Sequence, residues 1–192
     1  MMGFLKPSLA GSIVLLAALV SSSPSRGWTS VDKVLAGVIN GSSESITTSL
    51  QYGLDGPKIK SINSTSWEWW YFDVVSEDAK SSATVVFYTA PDTGFVFAQA
   101  PTDNILEVSL ALTVPGSDVD PVSLYITNFA EKATIVTTGN GASGEWTGTG
   151  FRFAGSPDMR EYIITIDDEN NGVKGTIIYQ SVCCAPLIIG AF

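Results

Sequence analysis

The residue types best suited to chemistry concentrate in one segment, residues 67–73, which reads Trp-Glu-Trp-Trp-Tyr-Phe-Asp. A carboxylate among aromatic rings is costly unless it is paired, hydrogen-bonded or kept neutral by a raised pKa. Glu68 is therefore either the acid or the substrate anchor of an apolar pocket, or a core residue that bonds to backbone or arginine and does no chemistry. If the segment is a strand, alternation divides it into two faces, neither of them polar: Trp67, Trp69 and Tyr71 on one, and Glu68, Trp70 and Phe72 on the other.

The chain contains no histidine, which removes several classes of chemistry. Ser-His-Asp and Cys-His arrangements, the usual zinc sites and proton transfer by imidazole are all excluded. The glycines between positions 139 and 150 fall between predicted strands, so they indicate turns and not a phosphate-binding loop. Asp167, Asp168 and Glu169 could offer oxygens to calcium, but we interpret them as a solvated turn. We therefore expect neither a metal nor a cofactor.

The remaining residues suit the binding of a hydrophobic small molecule. Beside the aromatic segment, Tyr88, Gln99 and Tyr125 are candidates for inward-facing polar groups that orient such a ligand. The chain has 10 basic and 19 acidic residues, a net charge of −9, and its acidic residues are scattered along the sequence. This balance favours solubility and argues against nucleic acid or an anionic membrane surface as a partner.

The first 22 residues have the organisation of a secretory signal peptide. Lys6 precedes an apolar run over residues 9–20, and three serines follow it. The run is shorter than the roughly 20 residues needed to span a bilayer, so we expect cleavage near Ser22, secretion and no membrane attachment afterwards. Two sequons, which begin at Asn40 and Asn63, would then be glycosylation sites on surface segments.

Beyond the leader the pattern predicts an all-β fold. Residues 23–60 are polar and weakly periodic and indicate an irregular N-terminal arm, whereas residues 61–182 alternate in short runs separated by turn residues. The run at 105–114 alternates cleanly, with Glu107 and Ser109 on its polar face. About eight such runs without an amphipathic helix predict an antiparallel sandwich or barrel. The predicted strands cover residues 69–75, 83–88, 105–114, 122–127, 133–138, 146–153, 162–166 and 173–179.

Residues 183–192 are an atypical C-terminal end. The two cysteines of the chain, Cys183 and Cys184, are adjacent, and neighbouring cysteines bridge each other only with strain. They therefore form no disulfide framework. Two unpaired thiols at the end of a secreted chain are unusual, and we expect the chain to be truncated here.

The aromatic segment also resembles a known group of proteins. The hydroxyneurosporene synthase-like group contains carotenoid hydratases, the secreted fungal kievitone hydratases and fungal lipocalin-like Diels–Alderases. The N-terminal part of these proteins is similar to three consecutive segments of this chain, which are Ser66–Asp73, the acidic turn at 76–80 and the strand at 83–88. Its later strands are similar to residues 150–153, 162–167 and 173–177.

The resemblance implies a lipocalin-like β domain over residues 61–182, the first of two such domains, with the substrate pocket at or between them. A second lipocalin-like domain would then be missing from this chain. The resemblance also implies that Glu68 faces the pocket, where it bonds the substrate or acts as an acid, with rings of the same segment around it.

Three functions remain open. A cofactor-free cyclase, a Diels–Alderase, would fold an apolar polyene into its reactive shape while neutral Glu68 bonds a carbonyl. A hydratase would protonate an isoprenoid double bond, with tryptophan faces stabilising the cation. A carrier would bind the same kind of hydrophobic molecule without turnover.

Overall fold

The computed structural model describes residues 28–48, 53–98, 103–116 and 121–181. These residues form β-strands and no helix, so the predicted all-β antiparallel fold is confirmed. The strands are β1 (Thr29–Leu35), β2 (Glu44–Ser45), β3 (Ile59–Lys60), β4 (Glu68–Val75), β5 (Ser82–Thr89), β6 (Leu106–Val114), β7 (Val122–Phe129), β8 (Lys132–Thr138), β9 (Gly141–Trp146), β10 (Phe151–Gly155), β11 (Glu161–Asp168) and β12 (Val173–Gln180).

Two antiparallel sheets make up most of the described fold. One has six strands in the order β1-β8-β9-β10-β11-β12, and the other has four in the order β4-β5-β6-β7. The short strands β2 and β3 form a separate pair. Most neighbours in both sheets are consecutive in sequence, so short connections build the sheets, as expected for antiparallel strands joined by tight turns. The exception is β1, which pairs with β8 across a long stretch of chain.

The apolar faces of the two sheets meet in one shared core. Trp70 and Phe72 of β4 lie 5.8 and 5.3 Å from Phe153 of β10, measured between ring centroids. Trp146 of β9 lies 5.9 Å from Trp70 and 5.0 Å from Phe87 of β5. All five rings are buried. Two sheets packed face to face through such side chains give a sandwich-like arrangement whose interior is filled by aromatic rings.

Part of the predicted irregular arm is regular structure. Residues 29–35 form β1, which pairs with β8 from Thr29 opposite Thr138 to Leu35 opposite Lys132. Side chains along β1 alternate between half-buried and exposed. The half-buried positions include the polar Ser30 and Asp32, whereas Val31 and Leu35 are exposed, so the sequence shows no apolar face that would indicate this strand.

The single strand predicted over residues 146–153 is wrong, because these residues belong to a hairpin. Strand β9 ends at Trp146 and β10 begins at Phe151, with Gly148 and Gly150 at φ 89° and 79° between them. Glycine adopts such positive φ values without the steric cost that other residues meet. Strand β9 itself contains glycines that the sequence pattern had indicated as turn residues.

Several predicted features lie outside the described residues. They are the leader, Gln99, and the C-terminal end with Cys183 and Cys184. Within the described ranges, no helix has the length and apolar character needed to cross a bilayer.

Candidate functional site

Strand β4 divides the aromatic segment between two surfaces, as alternation predicted. Trp70 and Phe72 point into the core and are 7% and 5% exposed, whereas Tyr71 points away from it and is 43% exposed. Trp67 and Trp69 lie on the outer side with Tyr71, and their ring centroids are 5.0 Å apart. The five rings predicted to bind substrate therefore do not line one surface.

Glu68 lies on the inner side of β4 and is bonded to backbone. Its Oε2 accepts hydrogen bonds from the amide of Lys58 at 2.7 Å and from the amide of Ile59 at 3.2 Å. Burial raises the pKa of Glu68, while these two bonds and the charge of Lys58 act in the opposite direction. The carboxylate thus ties the segment before β4 to the sheet, and its role as a catalytic acid stays a prediction.

Glu68 belongs to a group of ionisable side chains with half-buried Asp55 and Lys58 and buried Tyr162, called here the inner acid cluster. Tyr162 donates a hydrogen bond to Asp55 Oδ2 at 2.5 Å, and Lys58 Nζ donates to the carbonyl of Gly56 at 2.6 Å. Burial raises the pKa of Asp55 to about 6, against the Tyr162 bond and the charge of Lys58. Burial also lowers the pKa of Lys58, against the charges of Asp55 and Glu68.

The pKa values of the inner acid cluster are shifted, as in many active sites. The cluster nevertheless packs against the core, whose interior is already filled by aromatic rings. Trp70 Nε1 donates to the backbone oxygen of Asp55 at 3.0 Å, which joins the cluster to the buried rings. Sequence reasoning did not find Asp55, Lys58 or Tyr162 as partners of Glu68. Tyr162 is 107 residues from Asp55 in sequence, so no local pattern could have indicated their contact.

The outer side of the four-stranded sheet carries a second group of rings, called here the outer aromatic face: Trp67, Trp69, Tyr71, Tyr88 and Phe95. Phe95 lies 4.6 Å from Trp67, 4.9 Å from Trp69 and 6.2 Å from Tyr88 between ring centroids. Phe95 comes from the segment 91–98, which folds over this face. A backbone bond from Phe95 to Pro91 at 2.9 Å holds that segment in a turn.

The predicted inward position of Tyr88 and Tyr125 is wrong, because both lie on the outer side of the four-stranded sheet. The strand register places Trp69 opposite Tyr88, and Tyr88 opposite Glu107. Tyr88 is 9% exposed because segment 91–98 covers it, while Tyr125 is 56% exposed. Glu107, which the pattern placed on a polar face, is only 1% exposed. Sequence reasoning missed Glu107 because its neighbours on other strands cannot be known before the register is.

Of the three acids predicted to lie in a solvated turn, only Glu169 does so, because Asp167 and Asp168 are the last two residues of β11. Asp168 is 2% exposed and accepts hydrogen bonds from Asn128 Nδ2 at 2.6 Å and Asn171 Nδ2 at 2.8 Å. Its neighbour Asp167 forms an ion pair with Lys174 at 2.7 Å. Among the described residues, no three acidic or cysteine side chains gather into a group that could hold a metal ion.

The two sequons differ in their surroundings. Asn40 is exposed. Asn63 is half-buried, and its Nδ2 donates to the carbonyl of Gly41 at 2.9 Å while its Oδ1 accepts from the amide of Thr65 at 3.0 Å. Glycosylation at both sites stays a prediction.

Comparison with known proteins shows which family the chain is similar to. The model of the Diels-Alderase-like family matches residues 35–190. The chain is 34% identical over 147 residues to the quinolone epoxide rearrangement protein asqO of Emericella nidulans, covering 76% of this chain and 39% of that protein. It is 36% identical over 149 residues to the quinolone epoxide rearrangement protein penF of Penicillium thymicola, covering 70% of this chain and 37% of that one.

A third relative carries the name of a different reaction. The chain is 32% identical over 132 residues to the Diels-Alderase pyiF of Pyricularia grisea, covering 67% of this chain and 29% of that protein. The matches thus span well under half of the length of these curated relatives. No solved structure is significantly similar to the chain.

Proposed function

The chain belongs to the Diels-Alderase-like family, and from that premise we propose that it takes part in a cofactor-free cyclisation in fungal secondary metabolism. The substrate is an apolar polyene of polyketide or meroterpenoid type. The protein holds the flexible molecule in its reactive conformation. Because the conformational entropy of the substrate is then lost on binding, the activation barrier of the cyclisation itself is lower. Relatives of this chain are named for Diels–Alder reactions and for epoxide rearrangement.

The observation that carries the proposal is the outer aromatic face. Its rings stand at the edge of solvent, with Tyr71 43% exposed and Trp69 half-buried, whereas the rings on the inner side of β4 already pack against the opposite sheet. An apolar molecule that lies on Trp67 and Trp69 would remove their surface from water, at roughly 25 cal/mol per Å² of apolar area. Aromatic walls with few polar groups are typical of small-molecule sites.

Two further parts of the proposal rest on the sequence and on the relatives. Because the relatives are more than twice as long as the matched region, we propose that a second lipocalin-like domain completes the pocket. Secretion is also proposed, on the leader and the sequons alone. Hydration of an isoprenoid double bond and carriage without turnover are the alternative functions, since an aromatic face would bind their ligands equally well.

One experiment separates these functions. The protein, with any downstream coding sequence restored, is incubated with linear polyenes in isotopically labelled water, and the products are analysed by mass spectrometry. Cyclisation gives an isomer of unchanged mass without label. Hydration adds one labelled water, and a carrier returns the substrate. A labelled product would refute the cyclase proposal, and so would recovery of substrate alone across a panel of polyenes.

A matched pair of variants tests the surface. Trp69→Leu removes a half-buried ring from the outer aromatic face, and Trp28→Leu removes an exposed ring that precedes β1 in the other sheet. We expect Trp69→Leu to raise KM and lower kcat/KM, since orientation and binding both depend on that ring, while Trp28→Leu leaves both unchanged. Equal effects of the two changes would remove the outer face from the mechanism.

A further inference from the structure

A carboxylate lies buried on the side of the four-stranded sheet that faces away from the core. Outward-pointing residues of a two-layer β fold normally meet water, yet Glu107 is 1% exposed and its neighbour Ser109 is 4% exposed. The strand register sets Glu107 in a row across all four strands, Trp69–Tyr88–Glu107–Phe129. An acid in the middle of three rings is not explained by the packing of the two sheets against each other.

Residues with hydroxyl groups lie near this carboxylate. Tyr88 is directly opposite Glu107 on the neighbouring strand, and Ser109 follows Glu107 on the same face of β6. Ser109, Glu107, Tyr125 and Tyr71 are all close enough to influence the pKa of Tyr88. Tyr71 and Tyr125 are 43% and 56% exposed, so this oxygen-rich group has an open side. Burial of the Tyr88 ring raises its pKa, and the charge of Glu107 acts in the same direction, so the phenol keeps its proton at neutral pH.

We propose that Tyr88, Glu107, Ser109 and Tyr125 form the polar end of a ligand site whose apolar walls are Trp69 and Phe95. The ligand is a neutral, conjugated small molecule with one carbonyl or epoxide oxygen, which accepts a hydrogen bond from a tyrosine hydroxyl. This proposal deepens the proposed function and rests on it for the class of substrate.

The chemistry of the group sets the class of ligand. Protonated phenols donate hydrogen bonds, and a nearby carboxylate repels an anion, so a neutral oxygen suits the group better than a carboxylate or phosphate. Charge developing on a carbonyl or epoxide oxygen during cyclisation or rearrangement would be stabilised by the same donors. The rings of Trp69 and Phe95, 4.9 Å apart, would contact the conjugated carbon chain.

The test uses prodan, an apolar naphthalene ketone whose emission shifts to the red when its carbonyl accepts a hydrogen bond. The full chain is titrated with prodan as wild type, Tyr88→Phe, Tyr125→Phe and the control Tyr179→Phe, which removes a hydroxyl from β12 in the other sheet. We expect Tyr88→Phe to weaken binding about five- to tenfold, the usual size of one hydrogen bond, and to shift the bound emission to the blue. Tyr125→Phe should act in the same direction and Tyr179→Phe should match wild type.

Each other outcome overturns the proposal. Absence of prodan binding by the wild type removes the site, and unchanged emission in both outer variants shows that tyrosines do not hold the carbonyl. Tyr125 is exposed enough for its variant to fold even if Tyr88→Phe does not, and a melting curve of each variant establishes this. The binding readout needs no turnover: a wild type that binds prodan as expected but cyclises no polyene would refute the proposed function and leave the site standing.

Discussion

Asp55 should make the fold less stable as pH rises, and Asp55→Asn should abolish that loss. Its carboxyl group is enclosed with Tyr162 and Lys58, and burial raises its pKa from 3.8 to about 6. A folded-state pKa above the unfolded value means that the folded chain binds more protons than the unfolded chain between those two values. The stabilisation is therefore complete below pH 3.8 and is lost as pH rises through about 6.

The size of the effect follows from the two pKa values. A rise of about two pKa units, at about 1.4 kcal/mol for each, corresponds to about 3 kcal/mol of unfolding free energy. This is a large part of the 5–15 kcal/mol that is typical of whole domains. Glu68 has a raised pKa as well, so its ionisation destabilises the fold in the same direction. The pH dependence of Asp55 must therefore be isolated by comparing variants.

The measurement is urea unfolding of the wild type and of Asp55→Asn from about pH 4 to about pH 7. Relative to the wild type, Asp55→Asn should gain about 2.5 kcal/mol across that range, because part of the full effect falls below pH 4, whereas the exposed control Asp92→Asn should gain nothing. Tyr162→Phe removes the donor to the Asp55 carboxylate, so it should raise the pKa of Asp55 further and steepen the loss at neutral pH. A difference between wild type and Asp55→Asn that stays constant within about 0.5 kcal/mol would refute the reasoning.

Three other predictions use single changes. Glu68→Leu should cost about 1–3 kcal/mol, because two half-buried backbone N–H groups lose their acceptor, while Glu68→Gln keeps an acceptor and should cost much less; equal unfolding midpoints for the two would contradict the anchoring role. Gly144→Ala should lower stability by about 1–3 kcal/mol, because its Cβ would overlap a core ring, whereas Gly175→Ala, with open space around it, should melt near the wild-type temperature. In secreted material, mass spectrometry should find glycan at the exposed Asn40 more often than at the half-buried Asn63; an equal or reversed ratio would contradict this prediction.

The aromatic segment was the part of the fold most readable from sequence. Alternation places Glu68, Trp70 and Phe72 together and Trp69 with Tyr71, and the structure confirms both sets. A two-residue period has only two phases, so a strand assignment is enough to sort its side chains. Alternation does not show what packs against each face of a strand. The sequence therefore could not distinguish a packed core next to Trp70 from an open pocket there.

Contacts between distant strands were beyond the sequence. Glu107 occupies a polar position in an alternating strand, which ordinarily means exposure to solvent. The strand register places it beside Tyr88, and Phe95 of segment 91–98 packs against that tyrosine. The partnership of Asp55 with Tyr162 likewise depends on the packing of a loop against β11. Both sites arise from tertiary structure, for which the local pattern carries no signal.

The two faces of β4 differ in how completely their aromatic rings are packed, and this difference indicates which face can bind a ligand. On the inner side, Trp70 and Phe72 already contact rings of the opposite sheet, so their burial stabilises the fold without any ligand. On the outer side, Trp67 and Trp69 are covered only in part by Phe95 and stay half-buried. Apolar surface that folding leaves in water can still contribute free energy when a ligand or another domain covers it. Burial of apolar surface can therefore still drive ligand binding on the outer side. On the inner side, folding has already buried that surface.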